Sequence, residues 1–458
     1  MLREEEVVAG SYGSLNMDME ELARESISLL AKPTLESDGP NLSSAGAVFI
    51  LLKSALGAGL LNFPWAFNKA GGILPAVLVE LVSLIFLISG LVILGYAASI
   101  SMQTTYQGVV REICGPAIGK LCEACFILNL FMISVAFLRV MGDQLEKLCD
   151  SFYPNDTLSG GTSHQHWFTD NRFTLSVLCV LVIFPLSVPR EIGFQKYTSI
   201  LGTLAACYLM LVIIIKYYIR TDHSVKYEHH RSSGVSSWAS VFSVVPTICF
   251  GFQCHEACIA IYSSMKNKKL SHWVLVSVVS MLFCLLIYSL TGLYGYLTFG
   301  ADVAADILMS YPGTDVVVII ARLLFGVSII TIYPIVLLLG RSVLQDICFG
   351  TKHCSILTTE PYEKWLRILL TTVWVMVTLI IALFVPDISD IISVIGGISA
   401  FFIFIFPGLC LVCTMETETV MPRTKSFLII WGIITVLCGA FIFGQSTTIA
   451  IMELMHKL

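Results

Sequence analysis

Charge is what this sequence of 458 residues has least of: only 13% is Asp, Glu, Lys or Arg, against about 25% in an average soluble chain. Long polar stretches are just as scarce beyond residue 41, and the connecting loops are too short for a separate soluble domain. The chain is 56% apolar with a net charge of −5. A water-exposed globular surface is excluded, and no nucleic-acid partner is expected. Catalytic motifs are missing too. His255-Glu256 is followed at position 259 by isoleucine, so no His-Glu-x-x-His metalloprotease helix exists. No nucleophile sits beside a base in a convincing pattern, and an enzyme is not expected. Cysteine is not scarce, at 15 residues, but most lie in apolar runs as small hydrophobes. Cys249, Cys254 and Cys258 cluster with His255 in a spacing that matches no common zinc site. No cofactor, metal or outer disulfide is therefore expected.

What the sequence does have is long apolar runs. About 20 residues cross a hydrocarbon core of roughly 30 Å, and eleven runs qualify: 42–67, 73–98, 121–141, 173–188, 197–219, 238–262, 272–298, 314–340, 366–385, 388–413 and 427–450. The fourth is the shortest and ends at Pro185 and Pro189. Residues 1–41 are acidic and polar, so they read as a disordered cytoplasmic tail rather than a cleavable signal peptide. Residues 42–458 then form one transmembrane domain.

Two runs are flawed as helices. Gly57-Ala58-Gly59 interrupts the first near its centre, and Pro246 and Gly251 interrupt the sixth. Backbone freed at membrane depth is tolerated only inside protein or against a wet cavity. Paired interruptions in equivalent positions of two halves point to a transporter's binding site. Eleven spans divide into five, five and one, which puts the first and sixth in equivalent places of an inverted repeat. Moving a small solute across a membrane is the function these features imply.

Lys and Arg are about twice as frequent in one set of loops as in the other, which places the amino terminus inside. Asn155-Asp156-Thr157 is then a glycosylation acceptor on the outer side. The tail carries Tyr12-Gly13-Ser14-Leu15 and Glu25-Ser26-Ile27-Ser28-Leu29-Leu30, which are similar to sorting signals. Those signals favour endosomes or lysosomes as one residence; a family resemblance, carried by the motifs that follow, implies the plasma membrane instead.

Lys53-Ser54-Ala55-Leu56-Gly57-Ala58-Gly59, continuing to Pro64, resembles the first-helix signature of the amino acid/auxin permease group. Pro189 to Tyr197, Pro246 to His255, Ser393 to Gly397 and Phe443-Gly444-Gln445 resemble the sodium-coupled neutral amino acid transporters of solute carrier family 38. The resemblance runs from about residue 43 to the carboxyl terminus. It implies a LeuT-type all-α fold and sodium-driven, electrogenic uptake of glutamine, alanine and other neutral amino acids. It also implies a sodium site between the first helix, one turn before its break, and the eighth. Ser328 and Thr331, i,i+3 on the eighth span, would offer hydroxyl oxygens there; back-bonding within their own helix is the alternative. The relatives carry asparagine where this chain has Lys53, and an ammonium has no lone pair for sodium.

The substrate site can be reasoned from the residues alone. Where the first helix restarts beyond Gly57, Ala58 and Gly59, freed N–H groups and a positive dipole end suit a carboxylate. Carbonyls ending the preceding half-helix, or freed around Thr247 to Gly251, suit an ammonium. Tight helix packing is the other use of such glycines. Phe250 and Phe252 either wall the cavity or face lipid. Lys53 lies about 15 Å into the first span, where a lysine costs about 2.5–3.5 kcal/mol, so it belongs inside the bundle. A Lys53 that stays charged would favour sodium-independent transport or a shifted ion site at Ser328, Thr331 and backbone carbonyls, and one that loses its proton during the cycle would make transport proton-linked. An amino-acid sensor that binds without net flux would share the same pocket.

Overall fold

The computed structural model describes residues 42–152, 171–189, 195–220, 242, 244–353, 360–385, 388–418 and 421–457. Among these every regular element is helical, as the satisfaction of backbone groups in lipid demands. The first span is a pair, α1 (Ser44–Ala55) and α2 (Phe63–Lys69), joined by a tight turn, Ala58–Asn62. Then come α3 (Ile73–Ser101), the short amphipathic α4 (Tyr106–Cys114) and α5 (Pro116–Phe152). The fourth run gives α6 (Asn171–Leu178) and α7 (Phe184–Ser187) around a widened turn, and the fifth gives α8 (Gln195–Ile219). The sixth is again split, into α9 (Val245–Gly251) and α10 (His255–Ser264). α11 (Leu270–Phe299), the small α12 (Ile307–Ser310), α13 (Val316–His353) and α14 (Glu360–Phe384) follow. α15 (Ile388–Ala400), α16 (Phe406–Thr417) and α17 (Pro422–Lys457) complete the chain.

Among the described residues eight helices are long and apolar enough to cross a membrane, or nine when the first pair, bent by 51°, counts as one span. The fourth run is helical but short, over Arg172–Ser187. The sixth is divided into pieces that are each too short. Several helices outrun their apolar windows. α5 has 37 residues, about 55 Å at 1.5 Å per residue, so its ends stand beyond the hydrocarbon. Burial separates the spans: 78% of the apolar window within 391–417 is inside the bundle, against 22% for 422–452. α15 and α16 are thus central, and α17 is peripheral with Leu437 and Phe441 exposed.

The two breaks have different causes. In the first, the Leu56 N–H closes the last α-helical bond to Leu52 O at 2.9 Å, and Gly57 is extended. Glycine weakens the helix there, and Pro64 falls in the first turn of α2, where its missing N–H costs nothing. In the second, the expectation for Pro246 needs correction. It lies in the first turn of α9 and so starts the half-helix instead of interrupting it. The interruption is Phe252–Cys254, just after Gly251.

α11 is the hub, packing against α1, α2, α3 and α8, while α9 lies against α15 and the turn Ala58–Asn62. The two broken segments are thereby held side by side.

Candidate functional site

At the centre of the bundle the two breaks touch. A Cβ on Gly59 would stand 2.8 Å from Gly251 Cα and 3.3 Å from Phe250 Cδ1. A Cβ on Gly251 would stand 2.6 Å from the Phe63 ring. These two glycines serve the close approach of backbones. Gly57 differs: nothing lies within 4 Å of the Cβ it would carry, and it is only half-buried. Open space at the break is therefore found at Gly57. Ala58 is buried beside it.

Tyr288 of α11 ties the breaks together. Its hydroxyl lies 2.9 Å from Ala55 O, which ends α1, and 2.9 Å from Gly251 O, which ends α9. The Tyr288 ring is fully buried, stacked on Phe63 at 4.2 Å and tilted against Phe252 at 4.9 Å. Both half-helices thus direct their negative dipole ends to one point. On the other side of the break, the turn Ala58–Asn62 presents the positive start of a helix. Thr247 Oγ1 donates to Asn62 Oδ1 at 3.0 Å, and Asn62 Nδ2 donates to Ala305 O at 2.8 Å. Phe250 and Phe252 are both buried, so they line protein rather than lipid.

Each mouth of the bundle is tied. At one, Leu42 N–H donates to Ser264 O at 3.1 Å and Lys266 N–H to Leu42 O at 2.9 Å, which fastens the start of the first span to the end of α10. At the other, the segment 303–315 is held down by buried polar groups. Gln144 Nε2 donates to Asp306 Oδ2 at 2.6 Å, and the fully buried Arg322 donates to Leu308 O at 2.9 Å and Tyr311 O at 3.0 Å. Arg139 pairs with Asp143 one turn along α5 at 2.8 Å. Burial, followed by the nearby Asp143 carboxylate, pushes the Asp306 carboxyl up to about 8.

The six residues expected to bind substrate, Gly57, Ala58, Gly59, Thr247, Phe250 and Gly251, come together at this centre. The ion-site residues are less concentrated. Lys53 is half-buried in the last turn of α1, where the dipole favours a cation. Ser328 Oγ faces Gly202 of α8, whose added Cβ would lie 3.2 Å away. Thr331 Oγ1 back-bonds to Val327 O at 2.8 Å and Ser328 O at 2.9 Å. Asn155, the tail and Arg190 to Phe194 lie outside the described residues. His255 Nε2 bonds Leu87 O at 3.0 Å, an interhelical role. No group of three or more metal-ligating side chains occurs among the described residues.

Sequence reasoning missed Tyr288 and Asn62. It also missed polar bonds in and just after the sixth span's interruption: Ser399 Oγ donates to Gln253 Oε1 at 2.6 Å and Asn129 Nδ2 to Glu256 Oε1, in the first turn of α10, at 2.6 Å. Asn62 stood inside a quoted motif, whereas Tyr288 is one aromatic in a long apolar run and carries no local signal.

Comparison with known proteins agrees with this architecture. Residues 41–452 match the family described as transmembrane amino acid transporter protein. The chain is 66% identical over 428 residues to solute carrier family 38 member 8 of Homo sapiens, covering 92% of this chain and 97% of that one. It is 63% identical to solute carrier family 38 member 8 of Mus musculus, over 95% and 100% of the two chains. It is 43% identical to sodium-coupled neutral amino acid transporter 7 of Danio rerio, over 97% and 96%. The crystal structure of MhsT in complex with L-phenylalanine superposes with a TM-score of 0.55 at 14% identity, covering 89% of this chain and 100% of that one, which shows a LeuT-like fold. A multi-pass, all-helical membrane protein with two touching helix breaks, matched across nearly its whole length, this chain belongs to the transmembrane amino acid transporter family and is a solute carrier family 38 transporter, not an enzyme.

Proposed function

We propose that this protein is a sodium-coupled, electrogenic transporter of neutral amino acids that prefers glutamine and works by alternating access. The meeting of the two helix breaks carries this reading, because it directs the carbonyl ends of α1 and α9 to one point, with the open space at Gly57 beside them. The substrate carboxylate takes the N–H groups at Gly57, Ala58 and Gly59, beside the open space at Gly57. The ammonium takes the carbonyls that end α1 and α9, including that of Gly251. Thr247 holds the first span in place through Asn62, and Phe250 walls the pocket. Sodium travels as a co-substrate, near Ser328, Thr331 and the end of α1. The domain spans residues 42–458 in eleven crossings as a five-plus-five inverted repeat and one extra helix, after a cytoplasmic tail of 1–41. Asn155 is the glycosylated residue, and the plasma membrane is the site of action.

Lys53 favours a second reading. Its ammonium, in the last turn of α1, repels a sodium ion 4 Å away by about 4 kcal/mol at an effective dielectric near 20. Sodium-independent transport follows if that charge persists, and proton-linked transport if Lys53 gives up its proton during the cycle. One experiment separates these readings: uptake of a labelled amino-acid panel into proteoliposomes, with sodium or choline, at two pH values. Saturable, sodium-dependent glutamine uptake supports the first reading. Uptake indifferent to choline replacement rejects it. Binding without flux would leave only a sensor.

A further inference from the structure

The carbonyls of Ala55 and Gly251 lie within 2.9 Å of one atom, the Tyr288 hydroxyl oxygen. Each oxygen ends a half-helix, so each carries the negative end of a dipole. A hydroxyl has a single proton and bonds one of the two at a time. The other is left short of a donor inside the membrane, where an unmatched polar group is costly. An ammonium has three protons and a full charge, and it satisfies both oxygens at once. From this arrangement we infer that the Tyr288 hydroxyl stands at the position of the substrate's α-ammonium and competes with it for the same two carbonyls. The inference rests on the proposal that the breaks hold an amino acid, and it adds a residue and a step to it.

The ring makes that competition mechanical. Tyr288 is fully buried, stacked on Phe63 of α2 and tilted against Phe252 in the sixth-span interruption. The hydroxyl cannot leave the carbonyls without pressing on both broken spans. A carrier returning without substrate keeps one break carbonyl at a time matched through Tyr288, and a loaded carrier matches both through the ammonium. Tyr288 is accordingly a positioning residue for the return step.

Tyr288→Phe keeps the ring stack and removes only the hydroxyl. In proteoliposomes net glutamine uptake, which needs the substrate-free return, falls about tenfold or more, as expected for an orphaned buried acceptor. Exchange of labelled for unlabelled glutamine, which never passes through that return, loses much less than net uptake does. A parallel loss of both fluxes, or unaltered net uptake, overturns the inference. A second measurement stands apart from the folding of that variant. With 3-fluorotyrosine placed at 288, the fluorine resonance shifts on adding glutamine and stays put with its analogue lacking the α-amino group. A resonance that glutamine leaves unmoved also overturns the inference. Wild-type protein showing neither net uptake nor exchange would instead defeat the proposed function.

Discussion

Gly57 and Gly59 are two positions apart and serve different ends. The Cβ of an alanine at 59 would meet Gly251 Cα at 2.8 Å, whereas at 57 it meets nothing within 4 Å. Gly59→Ala must push two backbones apart, an overpacking that costs about 1–3 kcal/mol. It should lower both the thermal midpoint and the maximal uptake rate. Gly57→Ala should leave the midpoint alone and raise the glutamine KM, because the methyl group enters the space assigned to substrate. Thermal unfolding and uptake kinetics of the two variants check this; matching defects would mean that both glycines only pack. Lys53 is tested at the same scale. Lys53→Asn removes a positive charge beside the proposed sodium position and should lower the half-saturating sodium concentration by about tenfold or more. An identical sodium titration in both proteins would take Lys53 out of the ion site.

Among the elements, the first span is the one the proposed transport cycle would move. α1 has 12 residues, is cut from α2 by an extended Gly57, and is fastened at its start by the bridge between Leu42 and Met265. Two backbone bonds, each with a net worth of about 0.5–1.5 kcal/mol, form a latch that a conformational cycle can open. Leu42→Cys combined with Met265→Cys should cross-link under mild oxidation, halt uptake and recover with a reductant. Mass spectrometry identifies the linked peptide against the native thiols. Continued uptake with the link in place would mean that α1 and α10 stay together throughout the cycle. The sixth span shows how element boundaries escape sequence reading. Pro246 attracts attention as a breaker, yet proline is at home in a first helical turn. The real interruption at Phe252–Cys254 contains neither glycine nor proline.

For the whole molecule, the segment 303–315 is the cover on one mouth, and its chemistry makes closure depend on pH. Asp306 is N-cap to α12, accepts from Gln144, and lies among Asp143, Arg139 and Arg322. Its carboxyl is raised to about 8 by burial and then by Asp143, from an ordinary value of about 3.9. The closed segment therefore holds a proton that the released segment gives up between those limits. Closure is fully supported below about pH 4 and weakens as pH rises through 8. Amide exchange across 303–315, corrected for intrinsic rates, should be faster at about pH 9 than at about pH 6.5. Asp306→Asn should abolish the difference. A difference that survives the substitution would assign the effect to another group.

The sequence by itself determined that this chain is helical and membrane-embedded, because too little charge and too many apolar runs leave lipid as the only solvent. It also determined that the first span carries a break, since Gly57 and Gly59 depart from a periodic pattern, and Gly251 pointed to the sixth although its interruption lies just beyond, at Phe252–Cys254. What it could not determine was who meets whom. The contact of Gly59 with Gly251, the hydroxyl of Tyr288 between Ala55 and Gly251, and the grip of Arg322 on Leu308 and Tyr311 join residues with no common local signature. A helix pattern records which face is apolar over a few turns. It holds no record of the partner on a span some two hundred residues away, so the pairing was decided only when α11 packed on the first span and its Tyr288 reached Gly251 of the sixth.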